Sequence, residues 1–504
     1  MPSAMRSVAA AAVVACLGHA ATHRHSNVEP PPEWAVMPYR SPGGAMVELF
    51  EWTWPDVARE CEEWLGPKGF NAVQVSPAND HVAQLEWWAR YKPVTFELVS
   101  RSGDEKAFVD MVQRCNKVGV GIYVDVVFNH VTDGHGLSMA GHVYGNRSTP
   151  IFSHTDLHHD QHDLNKNCRV TNYADKFNVQ HCDLYGLPDL CTGCANVQEK
   201  VSAFLTKMVD LGVAGFRVDA SKHIDVEDLK TIIKMTAKGK TVFWFQEVFA
   251  SPYEAVTPSQ YTGTGALEFF EYAHKVAPSF ATDGKLGQLT NLRPGQDFEV
   301  KTGTAVVFLD NHDTQRHDAP LTFRDGKQYE LASIFMLAHP FGYPKVMSSY
   351  YFHGHDQGRP MVPVHTEGRL ACSADPTAVR QPSPEHPWVC EHRWPSVASM
   401  ASWRRSAGDA EISAWWLPES NRLLFCRGTA ACLILNRHET EPWDVTHKLK
   451  MPRGIYCDVI RSDNTSSCPL VHIAADGNTK VRVPPMTAVA VHIGKMSADQ
   501  ELLV

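Results

Sequence analysis

The stretch Gly212-Val-Ala-Gly-Phe-Arg-Val-Asp-Ala-Ser-Lys-His223 decides the fold class of this 504-residue chain. Its apolar residues 213–218 predict a short buried strand. Four charged or ionisable side chains crowd the C-terminal end of that strand: Arg217, Asp219, Lys222 and His223. Barrel enzymes keep their catalytic groups at this end of their strands. A lone Arg-x-Asp is more often a structural ion pair, so a functional interpretation depends on what other strands add.

Three other apolar segments carry acids at or near their C-terminal ends. Residues 121–130 include Asp125, Asn129 and His130, residues 242–247 end in Glu247, and residues 305–313 end in Asp310, Asn311, His312 and Asp313. Desolvating a carboxylate beside an apolar strand costs free energy, and metal binding or acid–base work is the usual reason for it. Four such strands therefore predict one shared active or metal-binding site.

Helix and strand patterns alternate along most of the chain, which predicts an α/β fold with parallel strands. The predicted helices cover residues 56–65, 104–118, 197–211 and 226–237. The predicted strands cover residues 46–50, 70–76, 121–125, 213–219, 242–247, 265–269, 305–310 and 345–350. Eight strands favour a closed (β/α)8 TIM barrel over an open doubly wound sheet.

Two regions depart from this alternation. Between residues 129 and 195 the periodicity gives way to Gly, His, Asp, Asn and four cysteines, and a loop of that length inside a compact domain is normally functional. Past residue 405, short alternating runs predict antiparallel strands. We therefore expect a barrel over residues 46–407, an inserted loop domain over 129–195, and a C-terminal antiparallel β-sandwich domain over 408–494.

Composition and targeting signals narrow the class of protein further. The net charge of −9, with 20% of residues charged, provides no basic surface for nucleic acid. Residues 1–20 combine Arg6, a short apolar run and a small-residue ending, which predicts a secretory signal peptide and an extracellular protein. No later segment reads as a membrane span.

Removing Cys16 from the 13 cysteines leaves twelve, an even number that favours disulfides. Asn146 and Asn464 begin N-glycosylation sequons.

Four strand-end motifs, residues 125–130, 215–223, 245–248 and 308–313, follow one another along the chain. In sequence and in order they resemble those of secreted α-amylases of the animal type, in the α-amylase family of glycoside hydrolases. The similarity extends from about residue 47 to about residue 494. It implies a monomeric enzyme that cuts α-1,4-glucosidic bonds within starch, glycogen and related glucans and retains the anomeric configuration. A polysaccharide substrate is therefore the expected partner.

The resemblance assigns Asp219 as the nucleophile, Glu247 as the general acid and then base, and Asp313 as the stabiliser of the transition state. A retaining pair stands about 5–5.5 Å apart, which the ends of adjacent strands allow. Arg217 is expected to keep Asp219 ionised by Coulomb attraction. Sugar rings pack on aromatic faces, although adjacent tryptophans taken alone are more often packing residues. The residues placed around bound sugars are Trp87, Trp88, Tyr91, His130, Lys222, His223 and His312.

The resemblance also implies a calcium ion that the inserted loop domain helps to hold. Calcium prefers oxygen ligands, and those expected are the side chains of Asn129 and Asp189 and the backbone carbonyls of Gln180 and His223. Gln180 stands where the family usually has Arg, a change that a carbonyl ligand tolerates. The histidines of residues 154–162 leave a zinc site as an alternative to a solvated loop.

Chloride is the second expected ion, at Arg217, Asn311 and Lys345, which match the three anion ligands of animal α-amylases. Lys345 replaces the more usual Arg, which leaves open the alternative that it pairs with an acid. Directly after Arg316-His317 the chain lacks the mobile glycine-rich loop that animal α-amylases often carry. The resemblance therefore gives no basis for processive action on long glucans.

Four disulfides are implied by the resemblance, and they pair Cys61 with Cys115, Cys168 with Cys182, Cys372 with Cys390, and Cys457 with Cys468. For the remaining cysteines the local pairs Cys191–Cys194 and Cys426–Cys432 are the simplest, and a redox Cys-x-x-Cys motif is the alternative for the first.

Two other functions remain as alternatives. One is an α-glucosidase or transglycosylase of the same family, which the Ala-Ser-Lys-His ending of the central motif disfavours. The other is a carbohydrate-binding relative without activity, which the presence of all three carboxylates disfavours.

Overall fold

Eight parallel strands close into a barrel in the computed structural model, which describes residues 43–159, 168–237, 239–292, 300–366, 369–373 and 385–497. The strands are β1 Met46–Leu49, β2 Ala72–Val75, β3 Gly121–Val126, β4 Gly215–Val218, β5 Phe243–Gln246, β6 Ala266–Glu268, β7 Ala305–Val307 and β8 Tyr343–Ser348. Each strand pairs with its sequence neighbours, and β8 pairs with β1. The predicted TIM barrel is confirmed. The predicted signal peptide, residues 1–20, lies outside the described residues.

Alternate residues of these strands point into the barrel and outward to the helices. The inward residues near the N-terminal ends are apolar and form a core of their own, which includes Met46, Tyr123, Ala266 and Tyr343. Two residues further along several of these strands the inward position is charged and still buried, as at Glu48, Asp125, Glu268 and Lys345. The barrel thus carries a charged layer above an apolar one, at the end where barrel enzymes hold their sites.

Helices cover the outside of the barrel. The main ones are Trp54–Glu60, Glu105–Lys117, Ala195–Asp210, Val226–Ala237, Glu271–Val276, Lys327–Ala338 and Pro395–Ala407. The predicted helix over residues 56–65 is α-helical only at its start and continues as the π-helical turn Cys61–Leu65. The helix Lys327–Ala338 was not predicted, because every residue from Tyr329 to Ala338 is buried and no polar face creates a periodicity.

The predicted inserted segment contains only short elements among its described residues. They are a small hairpin of Gly136–Leu137 and Val143–Tyr144 and the helix Lys176–His181. The segment is joined to the barrel next to β3, where Leu190 N donates to the carbonyl of Asn129 at 2.9 Å.

Antiparallel strands form the C-terminal region, as predicted. They are β9 Ile412–Glu419, β10 Arg422–Arg427, β11 Ala431–Asn436, β12 Trp443–Lys448, β13 Gly454–Cys457, β14 Leu470–Ile473, β15 Asn478–Val483 and β16 Thr487–His492. One sheet has the order β9-β10-β11-β16, while β12 pairs with β15 and β13 with β14. Trp403, in the last barrel helix, donates from Nε1 to the carbonyl of Val491 at 3.0 Å. The domain boundaries given above remain predictions.

Six disulfides are present, and all six match the predicted pairs. The Cys191–Cys194 bond is therefore formed, as the simplest local pairing predicted. Across the described parts of the chain, no helix combines the length and the apolar character needed to cross a membrane.

Candidate active site

Arg217 stands at the centre of the charged layer and is fully buried. Its Nη1 donates to both carboxylate oxygens of Asp125 at 2.9 Å and lies 3.1 Å from Asp219 Oδ1. Nη2 lies 3.1 Å from Glu247 Oε1, and Nε donates to Glu268 Oε2 at 2.9 Å. Burial alone would lower the pKa of Arg217, but these acids raise it well above its ordinary value. One guanidinium therefore gathers carboxylates from four strand ends.

The predicted nucleophile and general acid share this cation. Glu247 Oε2 also accepts a hydrogen bond from Ala220 N at 2.7 Å. Burial raises the pKa of both carboxyls, repulsion from Glu247 adds to the shift at Asp219, and Arg217 opposes it at both. The net upward shift at Asp219 differs from the expectation that Arg217 keeps this group ionised, because desolvation outweighs the attraction. The two groups titrate as a coupled pair that holds a proton more readily than isolated acids do.

Asp313 enters the cluster through His312 and Tyr91. His312 Nε2 lies 3.2 Å from Asp313 Oδ2 and 2.9 Å from the Tyr91 hydroxyl oxygen. The Tyr91 hydroxyl in turn donates to Asp125 Oδ2 at 2.9 Å. The third predicted catalytic carboxylate thus lies at ion-pair distance from His312, which contacts the acids around Arg217 through the Tyr91 hydroxyl.

Asp310, which the sequence placed in the same motif, turns away from this cluster. It accepts from the Tyr329 hydroxyl at 2.6 Å and from Gln315 Nε2 at 2.8 Å, and burial raises its pKa to about 7. Asp310 therefore has a packing role behind the site.

Two buried acids in the charged layer were not predicted as site residues. Glu268 accepts from Arg217 with one oxygen and from Lys345 Nζ with the other, at 2.5 Å. Glu48 lies 3.0 Å from the same Lys345 Nζ through Oε2 and 2.6 Å from His312 Nδ1 through Oε1. The available signal was an acid at an inward position of a short apolar strand, Met-Val-Glu-Leu in β1 and Ala-Leu-Glu in β6.

Profiles of two protein domains match the chain. The α-amylase catalytic domain matches residues 68–241, and the α-amylase C-terminal all-β domain matches residues 416–494. An α-amylase-related protein of Drosophila ananassae is 37% identical over 467 residues, which cover 90% of either chain. This chain belongs to the α-amylase family. The α-amylase-related protein of Drosophila simulans is 38% identical over 432 residues, which cover 82% of this chain and 85% of that relative.

Solved structures of family members agree with this assignment. The structure of a mutant of α-amylase I from Eisenia fetida in complex with maltohexaose matches with a TM-score of 0.80 at 30% identity, covering 90% of this chain and 98% of that one. An α-amylase of Anoxybacillus matches with a TM-score of 0.63 at 15% identity, which shows the common fold alone.

The residues predicted to bind sugar in this α-amylase family member form two sets of contacts. Trp87 packs edge-on to His312, with ring centroids 5.7 Å apart, and donates from Nε1 to the His355 carbonyl. Trp88 is partly exposed and donates to Asp356. These contacts place Trp87 next to His312 and both tryptophans next to the loop that follows β8.

In the second set of contacts, Lys222 pairs with Glu254 and lies 4.5 Å from the centre of the Tyr173 ring. His223 is held by the Val179 carbonyl through Nδ1 at 2.8 Å. His130 is buried, and its Nε2 donates to the Tyr91 carbonyl at 2.9 Å. Burial lowers the pKa of both histidines to about 4, so they are neutral near pH 7. Their roles in sugar binding remain predictions.

The residues predicted to bind calcium surround the junction of the inserted segment with the barrel. Asn129 Oδ1 is buried and accepts no hydrogen bond among the described residues. Burial, together with the nearby Asp183, raises the pKa of Asp189 well above its ordinary value, and His158 Nδ1 lies 2.5 Å from one of its oxygens. Gln180 bonds through Nε2 to the carbonyl of Ile224, one residue after His223. A buried acid beside an unpaired amide oxygen fits a hard cation.

The zinc alternative concerns residues 154–162, of which 160–162 lie outside the described residues. His159, Cys168 and Cys182 have ligand atoms within 4.8 Å of one another, but the two sulfurs form a disulfide and offer no thiolate.

The residues predicted to bind chloride divide into two kinds. Arg217 Nη2 and Asn311 Nδ2 are buried donors without a hydrogen-bond partner in the described part of the chain. Lys345 instead pairs with Glu268 and Glu48, the alternative that the sequence left open. The Asn311 amide fits an anion, whereas the positive charges of Arg217 and Lys345 already face carboxylates.

Proposed function

We propose that this chain is a retaining enzyme that hydrolyses α-1,4-glucosidic bonds within starch, glycogen and related glucans. The observation that carries the proposal is the contact of one buried guanidinium, that of Arg217, with both Asp219 and Glu247. Asp313 joins them through His312. Two carboxyls at the ends of adjacent strands are the groups that acetal hydrolysis with retention requires.

The proposed reaction has two steps. Glu247 donates its proton to the glycosidic oxygen while Asp219 attacks the anomeric carbon, so that the leaving chain departs with a new hydroxyl and the other part is esterified to Asp219. Glu247, now ionised, takes a proton from a water molecule that attacks the same carbon and frees Asp219. The raised pKa values of Asp219 and Glu247 favour one shared proton in the pair, and the mechanism requires this proton on Glu247 while Asp219 is ionised.

The choice of an α-glucan as substrate rests on the relatives. The solved Eisenia fetida α-amylase I mutant was crystallised with maltohexaose, and the partly exposed Trp88 offers an apolar face for a sugar ring. Incubation with soluble starch, followed by counting reducing ends and sizing the products, tests the proposal. We expect a mixture of short oligosaccharides. Glucose as the sole early product would indicate an exo-acting glucosidase, and no new reducing ends would indicate a binding protein.

Calcium is proposed as a structural ion at Asn129, Asp189 and the carbonyls of Gln180 and His223. A ligand that binds only the folded state stabilises it by mass action, by about 2.7 kcal/mol at a hundredfold excess over Kd. Chelation is therefore expected to lower the Tm, and re-addition of calcium to restore it.

The variant Asp189→Asn removes a buried ligand charge and should abolish this calcium response of the Tm. Asp210→Asn is the matched control, since Asp210 is exposed and pairs with Lys240 at the surface. A Tm that does not change after verified removal of calcium contradicts the proposal.

Chloride is proposed as an activator bound at Arg217 and Asn311, with Lys345 contributing at longer range. The positive charge of Arg217, whose Nη2 lies 3.1 Å from Glu247 Oε1, favours ionised Glu247. A bound anion offsets that field, so Glu247 stays protonated to higher pH. Dialysed enzyme assayed at constant ionic strength should show a higher kcat and a more alkaline pH optimum with chloride than without it. Identical pH profiles in the two buffers would argue against an anion site. Lys345→Gln should then have no effect on the chloride dependence either, since the wild type would show none.

Secretion of a monomeric enzyme completes the proposal. Six disulfides suit an oxidising compartment. The two sequon asparagines, Asn146 and Asn464, are both exposed, as glycosylation requires.

A further inference from the structure

Glu48 is a fully interior acid whose two oxygens face two different basic side chains. It lies in β1 at an inward position, with 2% of its surface exposed. Oε1 lies 2.6 Å from His312 Nδ1, and Oε2 lies 3.0 Å from Lys345 Nζ. Burial raises the pKa of Glu48, but Lys345 and His312 together lower it far below its ordinary value, so the group is ionised in the active pH range.

The hydrogen bonds around His312 determine where its protons are. An ionised carboxylate only accepts, so Nδ1 must carry a proton to contact Glu48. At the other nitrogen, the Tyr91 hydroxyl donates its proton to Asp125 Oδ2 at 2.9 Å, and its oxygen lies 2.9 Å from Nε2. Asp313 Oδ2 lies 3.2 Å from the same nitrogen. A bare Nε2 lone pair would face two oxygen atoms, so Nε2 also carries a proton.

We propose that Glu48 is a positioning residue that holds His312 as a doubly protonated cation, with its Nε2–H on the Tyr91 hydroxyl oxygen and 3.2 Å from Asp313 Oδ2. The ring is fixed from both faces, since Phe50 stacks on it at 4.6 Å and Tyr91 at 5.3 Å. The proposed consequence for catalysis, that the cation holds Asp313 in place, rests on the proposed function. The charge state of His312 does not.

The charged groups that face His312 come from several elements. Asp313 and Glu48 raise its pKa against the effect of burial, and Arg217 opposes them. Asp125 lies behind the Tyr91 hydroxyl, and Arg316 donates to the His312 carbonyl without touching the ring. Because the pKa is raised in the folded state, the cation persists below that value and is lost as the pH rises through it.

The test is nuclear magnetic resonance of the full chain labelled with ¹⁵N-histidine. His312→Asn identifies the signals of His312 by their loss. In the wild-type protein we expect both ring nitrogens to remain protonated at pH 7. In Glu48→Gln the titration midpoint of His312 should fall by about 1 to 3 pH units, the effect of removing one adjacent opposite charge.

Two variants separate this role from mere packing. Lys345→Met removes the other partner of Glu48 and should leave His312 a cation at pH 7. Glu48→Asp keeps the carboxylate charge, so the titration midpoint of His312 should recover most of the decrease seen in Glu48→Gln. In starch assays, Glu48→Gln should lose kcat first on the alkaline side of the pH profile.

A neutral His312 in the wild-type protein at pH 7, or the same midpoint in Glu48→Gln, would overturn the proposal. The wild-type spectrum alone decides the first point if Glu48→Gln does not fold. The spectra need no substrate, so an inactive enzyme with a cationic His312 would refute the proposed function and leave this inference standing.

Discussion

Asp219→Asn is expected to lower kcat on soluble starch by about four orders of magnitude or more while maltohexaose still binds. The amide has almost the same shape as the carboxylate but cannot form the ester with the anomeric carbon. Its neighbour Arg217 keeps three other carboxylates, Asp125, Glu247 and Glu268, so the site should remain assembled. Single-turnover assays and calorimetric titration with maltohexaose measure the two effects separately.

Asp210→Asn makes the same chemical change at an exposed acid on the helix Ala195–Asp210 and should leave kcat unchanged. Turnover by Asp219→Asn within tenfold of the wild-type value would remove Asp219 from the role of nucleophile.

Arg217→Gln is expected to have the second largest effect, on the stability of the fold as well as on activity. It leaves Asp125, which is fully buried, without its cation, and Glu268 with Lys345 alone. Breaking a buried ion pair by removing one partner costs about 3–5 kcal/mol, because an uncompensated charge remains in the interior. Heat and urea unfolding should therefore show a markedly less stable protein, and kcat should fall because Asp219 and Glu247 lose their common contact.

Arg59→Gln is the matched control, since Arg59 pairs with Glu63 on the surface of the first helix. Such an exposed pair contributes less than about 1 kcal/mol to the free energy of unfolding, so the control should unfold at nearly the same temperature and urea concentration as the wild type. Arg217→Lys keeps the charge without the fork of donors and should be intermediate in stability. If Arg217→Gln unfolded at the same temperature and urea concentration as the wild type, the stability of the four-acid cluster would not depend on this cation.

Much of the fold could be predicted because its signals are local. The apolar runs that end in Asp125, Asp219 and Glu247 correspond to β3, β4 and β5, and the predicted and observed ends differ by only a few residues. The pair Cys426–Cys432 could be predicted because the two cysteines are six residues apart. The helix Lys327–Ala338 could not, since complete burial removes the polar face on which the prediction depends.

The motifs located Asp125, Asp219 and Glu247, which contact Arg217, but neither the acids Glu48 and Glu268 nor the partners of these groups could be predicted. Glu48 and His312 are 264 residues apart in sequence, and Lys345 and Glu268 are 77 apart. Which inward residues meet is decided by strand register around the closed barrel, and a single sequence does not contain that register. For the same reason the sequence left open whether Lys345 binds an anion or pairs with an acid.

The anomeric form of the first products tests the central claim most directly. Proton magnetic resonance of a fresh starch digest resolves the α- and β-anomers of the new reducing ends before mutarotation mixes them. Double displacement through Asp219 predicts that the α-anomer appears first and the β-anomer grows in later. A β-anomer in the earliest spectra would contradict the account, since it would mean that water attacks in a single step and that Asp219 is not the nucleophile.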